Sequence, residues 1–229
     1  MKIFGCAPLA LLGAALCVSH VRAQSLNDVF NALDDGARKF KSMKASVKDD
    51  DYTALVNDHS VQSGTIHVKK EAAATLMLLD FTGPAAKTIS LDANTVRIFN
   101  PKANVVQVYD IGNRRSLIDQ YLLLGFGASS DDLKKAYTIS YVGAEAISGQ
   151  RAGNIQLIPK SPEQLRQLSK VNLWISTSLG LPVKQKFWTG TAGDYKELTY
   201  SEVKLNPSFS DKDLQLKTPK GVQIEHVEH

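Results

Sequence analysis

Four histidines follow the first 23 residues of this chain, His59, His67, His226 and His229, and no two of them have the spacing of metal ligands on a helix face. His-Glu-x-x-His, paired Cys-x-x-Cys and Gly-x-Ser-x-Gly are all absent from the sequence. Ser201 and Lys204 match a serine/lysine nucleophile pair, but they fall in an expected strand, where residues three apart point to opposite faces. Gly125-Phe126-Gly127 lacks the third glycine and the preceding strand of a phosphate cradle. Asp49-Asp50-Asp51 lacks the spacing of a calcium loop and reads as a solvated helix end, and Asp34-Asp35 and Asp131-Asp132 read as capping or solvated residues. Arg114-Arg115 reads either as solvated loop or as a contact for an acidic partner or headgroup. The expectation is a binding protein without catalytic residues, metal or cofactor.

Both cysteines, Cys6 and Cys17, lie in a segment built like an export signal. Lys2 supplies its positive end, Ala7 to Val18 its apolar stretch, and Val21-Arg22-Ala23 a cleavage site. Residues 1–23 are therefore expected to be a signal peptide and 24–229 a single periplasmic domain. An uncleaved anchor is a rival reading, as is lipidation at Cys17, though Leu16 beside that cysteine is wrong for lipidation. Cleavage would leave 206 of the 229 residues, and loss of Lys2 and Arg22 would lower the formal charge from +4 to +2. That balance argues against nucleic acid as a partner.

Residues 25–44 read as an amphipathic helix. Ser25 and Asp28 resemble a capping box, and Leu26, Val29, Phe30, Leu33, Ala37 and Phe40 make one apolar stripe. From about residue 60, strands alternate with turns: 65–70, 75–81, 87–91, 95–99 and 104–111, then 137–147, 152–159, 171–177, 182–189 and 195–205. An apolar helical insertion at 113–137, carrying Leu117 and Tyr121, divides the two sets, with Ser129 to Asp132 capping a second short helix. The tail beyond Pro207 reads as loosely held. The spacing predicts a mainly β (α+β) fold: one curved antiparallel sheet forming an open, incomplete β-barrel, with helices over its concave apolar face. Leu76-Met77-Leu78-Leu79, Val105-Val106 and Val171 to Ile175 are apolar on both faces. Either helices cover the second face, or part of it lines a cavity for a greasy ligand.

The strand and turn residues carry a resemblance. It runs through Gly64 to Lys70, Pro84 to Lys87, Val96 to Pro101, Leu157 to Lys160, Val171 to Ile175, Gly180 to Val183, Leu205 to Pro207 and Thr218 to Val222. In their order and spacing these pieces resemble the periplasmic outer-membrane lipoprotein carriers of the LolA type. The resemblance implies a LolA/LolB-like open barrel with a helical lid over an apolar cavity for acyl chains. It also implies an acylated lipoprotein or lipid as cargo, an inner-membrane ABC-type release complex as donor, and an outer-membrane acceptor. The chain departs from the carriers at Glu71, where they have proline, and at Thr75-Leu76, near which they have a lid-latching arginine. The expected function is a monomeric carrier, with an envelope sensor or regulatory module of the same fold as the alternative. The residues expected to line the cavity are Leu76, Leu78, Ile98, Val106, Val108, Leu173, Trp174 and Phe187 from strands, with Leu33, Phe40, Leu117 and Tyr121 from helices.

Overall fold

The computed structural model describes residues 24–71, 74–92, 94–112, 124–189 and 193–227. The expected signal peptide, Arg114-Arg115 and the insertion residues Leu117 and Tyr121 lie outside the described residues.

Among the described residues, twelve strands form one sheet. They are β1 (Ser42–Thr53), β2 (Asp58–Lys70), β3 (Thr75–Thr82), β4 (Lys87–Leu91), β5 (Thr95–Asn100), β6 (Val105–Asp110), β7 (Tyr137–Ile147), β8 (Gln150–Pro159), β9 (Leu168–Ser176), β10 (Pro182–Thr189), β11 (Asp194–Leu205) and β12 (Gln223–Val227). Their order is β12-β6-β5-β4-β3-β2-β1-β11-β10-β9-β8-β7. β12 and β7 are the two ends of that order, so the barrel is open, as the strand spacing predicts. All pairings are antiparallel except β12 with β6.

Helix α1 (Leu26–Lys39) starts where expected. The Ser25 hydroxyl accepts the Asp28 amide at 3.3 Å, and the Asp28 carboxylate accepts the Ser25 amide at 2.8 Å. It ends five residues short of the expected 44, because Met43, Ala45 and Val47 alternate with polar neighbours and enter the sheet as β1 between β2 and β11. Asn206 clamps this junction, accepting from the amides of Lys41 and Ser42 and donating to the Lys39 carbonyl. The acidic run 49–51 is thus strand, not a solvated helix end. Helix α2 (Ser130–Ala136) carries the expected Ser129/Asp132 capping box, and Ser129 holds the Asp132 carboxyl below the usual carboxylate range. Helix α3 (Pro162–Gln167), started by Ser161 and Pro162, is an element the sequence reading lacked.

Helix α1 covers the inner face of the second half of the sheet. Val29 and Leu33 pack there with Ile155, Leu157, Val171, Leu173 and Ile175. Phe40 and Phe126 pack on the inner face of the first half, with Met43, Val47, Val68, Met77 and Leu79. Leu198 on β11 touches both clusters and stands at their seam.

The tail is held, contrary to expectation. Phe209 meets His67 edge to face at 5.8 Å, and Leu214 in the 3-10 turn Asp211–Leu214 is buried. Asn104 then bonds the Gly221 carbonyl, and β12 joins the edge at β6. Residues 207–222 therefore form a strap across the outer face, which ends in β12 at the sheet edge. The strap accounts for the two-sided apolarity of β3 and β6, because each face has its own cover.

Candidate functional site

The residues that line the inner face near the β1–β2 turn come from alternate positions on three strands. Asp51 and Thr53 project from β1, Phe187 and Thr189 from β10, and Asp194, Lys196 and Leu198 from β11. Together with Tyr52 and Tyr195 they enclose a hollow of about 580 Å³. This lies within the ~300–1,000 Å³ of small-ligand sites. Its floor is hydrocarbon, Phe187 and Leu198, and its rim is charged. Beside it the turn Ala54–Val56 carries Leu55 and Val56, which are 88% and 66% exposed. Such bare aliphatic side chains at a mouth suit an apolar guest or a partner surface.

The rim charges are organised around one buried carboxylate. Asp49 is 1% exposed. Lys196 Nζ donates to both of its oxygens, at 3.0 and 2.9 Å, and to Asp51 at 2.6 Å, while Gln62 donates to Asp49 at 2.9 Å. Burying a carboxylate is costly unless donors such as these surround it. Lys196 thus bridges Asp49 and Asp51 and keeps a partly exposed ammonium at the rim, where Asp51 and Asp194 leave acidic groups in excess.

A second polar group is sealed in the core. Gln185 is fully buried, and its amide donates to the Leu124 carbonyl at 2.6 Å and accepts from the Tyr200 hydroxyl at 2.7 Å. Burial, with Asp49 nearby, pushes the Tyr200 hydroxyl far above its ordinary range, so it stays a donor. Tyr200 also meets Phe126 edge to face at 5.3 Å. This chain ties the stretch from Leu124 to Phe126, at the end of the insertion, to β10 and β11. Around Leu124 to Ala128, against α2, lies a smaller cavity of about 280 Å³.

The cover formed by α1 is seated on glycine. A Cβ on Gly36 would stand 2.3 Å from the Gly180 carbonyl oxygen, and a Cβ on Gly180 would stand 2.1 Å from the Ala32 carbonyl oxygen. Gly180 also has φ +64°. The helix therefore touches the turn before β10 backbone to backbone. At its other flank the Asp34 carboxylate accepts the Ser130 amide at 2.6 Å and hydroxyl at 2.9 Å, tying α1 to α2.

The expected cavity residues separate into groups. Leu33, Phe40, Ile98, Leu173 and Phe187 lie in the inner clusters, and Phe187 alone among them lines the hollow. Leu76, Leu78, Val106 and Val108 point to the outer face, because their strands present Met77, Leu79 and Tyr109 inward. Trp174 also faces outward, into a small cluster with Ile147, Ala152 and Val183, where it bonds Glu145 and lies beneath Lys184. The parity argument against Ser201 and Lys204 fails as well. A bulge at Glu202, with φ +52°, brings Tyr200, Val203 and Leu205 to one face, so Ser201 and Lys204 share the other. Leu198, Lys196, Gln185 and Tyr200 were not singled out in the sequence. Alternation with Phe187 is the signal that could have placed Gln185 on the inner face.

A family model described as the MucB/RseB N-terminal domain matches residues 36–217. No curated protein matches the sequence. Among solved structures, the chain is similar to the crystal structure of MucB at 15% identity and a TM-score of 0.54, over 87% of this chain and 64% of that one. It is similar to an uncharacterized conserved protein from Thermus thermophilus at 11% identity and a TM-score of 0.57, over 89% and 100%. It is also similar to the complex structure of Pseudomonas aeruginosa MucA/MucB at 16% identity and a TM-score of 0.50, over 83% and 60%. The chain thus spans less than two thirds of the MucB chains it matches, and identities this low speak for the fold alone.

Proposed function

The chain belongs to the MucB/RseB N-terminal domain family, and from that membership we propose that it is an exported regulatory binding module rather than a carrier. It works in the periplasm, takes an acyl chain of a lipid or lipoprotein into the hollow over Phe187 and Leu198, and holds a partner protein. The resemblance to lipoprotein carriers extends to the open barrel. For the partner, the support is the complex of the relative MucB with MucA. For the acyl chain, it is the hydrocarbon floor beneath a charged rim.

The observation that carries the choice is the seat of α1. A carrier must lift its cover to load and unload whole acyl groups, yet here the helix meets Gly180 backbone to backbone and the insertion is tied through Gln185. A module that samples a chain at one open end needs no such lifting. An inner-membrane ABC-type complex and an outer-membrane acceptor have no role in this reading.

Two assays test it together on the protein without residues 1–23. A triacylated lipopeptide should bind saturably, and Leu198→Glu should weaken it at least ten-fold by placing a charge on the floor. The same protein should leave full-length lipoproteins on membrane vesicles. Stoichiometric release of lipoprotein in soluble form would restore the carrier reading, and absence of lipopeptide binding would remove the acyl role.

A further inference from the structure

We propose that the outer face carries a second binding site, for a single aliphatic chain with an anionic head, in the groove between the sheet and the tail strap. The groove measures about 530 Å³. Its floor is Leu76 on β3, Val106 and Val108 on β6 and Ile224 on β12, which stands beside Val106 on the same face, and its roof is Leu216 and Val222 on the strap. It lies on the opposite face from the hollow over Phe187, so this proposal goes beyond the proposed function.

The strap is pinned at its two ends and arches between them. Leu214 is wedged at 6% exposure on one side, and Gly221 and Gln223 bond Asn104 on the other. Pro219, in the arch, has no backbone donor to offer the sheet. The apolar side chains beneath and along the arch are left underfilled. Leu76, Val108, Leu216 and Val222 are only half-buried, and Ile224 is 60% exposed. Aliphatic side chains facing one another across unfilled space gain most from a hydrocarbon guest.

Two features select a chain over a peptide. The edge of β6 is already paired by β12, so a peptide laid in the groove could not join the sheet there as a further strand. A hydrocarbon has no such requirement. Arg97 and Asp92 line the groove, and they pair through one guanidinium nitrogen of Arg97. A guanidinium has five donors, so Arg97 can hold Asp92 and a carboxylate or phosphate head together.

Equilibrium dialysis with myristate, and with tetradecanol as its uncharged counterpart, tests this site on the protein without residues 1–23. Val108→Trp fills the groove and should weaken myristate binding at that site at least ten-fold. Leu198→Trp, which fills the inner hollow, should leave the same binding class intact. Ile224→Glu changes an exposed floor residue at the open side of the groove, and it should reproduce the loss. Arg97→Gln should weaken myristate about five-fold or more and leave tetradecanol unchanged. Unchanged myristate binding in both Val108→Trp and Ile224→Glu would overturn the proposal, as would loss in Leu198→Trp alone. Equal weakening of myristate and tetradecanol by Arg97→Gln would overturn the role given to Arg97. A failure of the acyl role of the inner hollow would show instead as wild-type lipopeptide binding that Leu198→Glu leaves unaltered.

Discussion

Gln185 carries more of this structure than its residue type suggests. It is a polar side chain with no solvent exposure, and both ends of its amide are bonded, one to the Leu124 carbonyl and one to Tyr200. Gln185→Leu leaves a buried carbonyl and a buried hydroxyl without partners, which costs about 1–3 kcal/mol for each group. Urea unfolding should therefore show a loss of more than about 2 kcal/mol, with faster hydrogen exchange around Leu124 to Ala128. Tyr200→Phe leaves only the Gln185 amide oxygen without a partner and should cost about 1–3 kcal/mol, less than Gln185→Leu. His67 provides a pH-sensitive contact of the strap. Burial, with help from Lys44, holds its pKa below the ordinary 6.5, against the opposing pull of Asp213 and Asp80. The folded state then binds fewer protons than the unfolded chain. Stability should be complete above about pH 7 and fall as the pH drops through about 6.5 toward the lower folded value. Thermal melts from neutral to mildly acidic pH should show this slope, and His67→Gln should flatten it. At this scale the sequence was least legible. Lys196, Asp49 and Gln185 are ordinary polar residues until register sets them on an inner face, and register depends on partners far along the chain.

Helix α1 and the turn before β10 fit together through two missing side chains. An alanine in a helix normally stabilises by about 1 kcal/mol relative to glycine. Gly36→Ala should reverse that sign, because the new methyl group would stand 2.3 Å from a carbonyl oxygen that belongs to backbone. Calorimetry should show a lower melting temperature, and α1 should lose hydrogen-exchange protection before the sheet does. An unchanged or raised melting temperature would mean that the helix can slide aside, which would favour a movable cover. Elements with local signals were read well. Ser25/Asp28 and Ser129/Asp132 cap the helices that they were expected to cap, and β4 and β10 have their expected limits. Elements defined by distant contacts were misread. The helical expectation overruns into β1 at residues 42–44 because Phe40 prolongs the 3.6-residue stripe of α1, whereas Met43, Ala45 and Val47 alternate. The strap was taken for a loose tail because its anchors, His67 and Asn104, lie more than about 100 residues earlier.

The whole molecule is one open sheet with a different cover on each face. The apolar surplus of strands such as Leu76 to Leu79 announced two covered faces, and that much was legible. Which cover lies over which residue was not, because composition is the same for a packed face, a hollow and a groove. The inner face is sealed by a glycine-seated helix and by the chain from Gln185 to Leu124, and it remains open where Phe187 and Leu198 meet Lys196. On the proposed reading, a closely seated cover with one open end suits a sensing module better than a shuttle. The most direct test is lipoprotein release from membrane vesicles, run beside saturable lipopeptide binding on the same preparation. The account predicts lipopeptide binding that Leu198→Glu weakens at least ten-fold, and no lipoprotein in the soluble fraction. Stoichiometric appearance of lipoprotein in that fraction would contradict it.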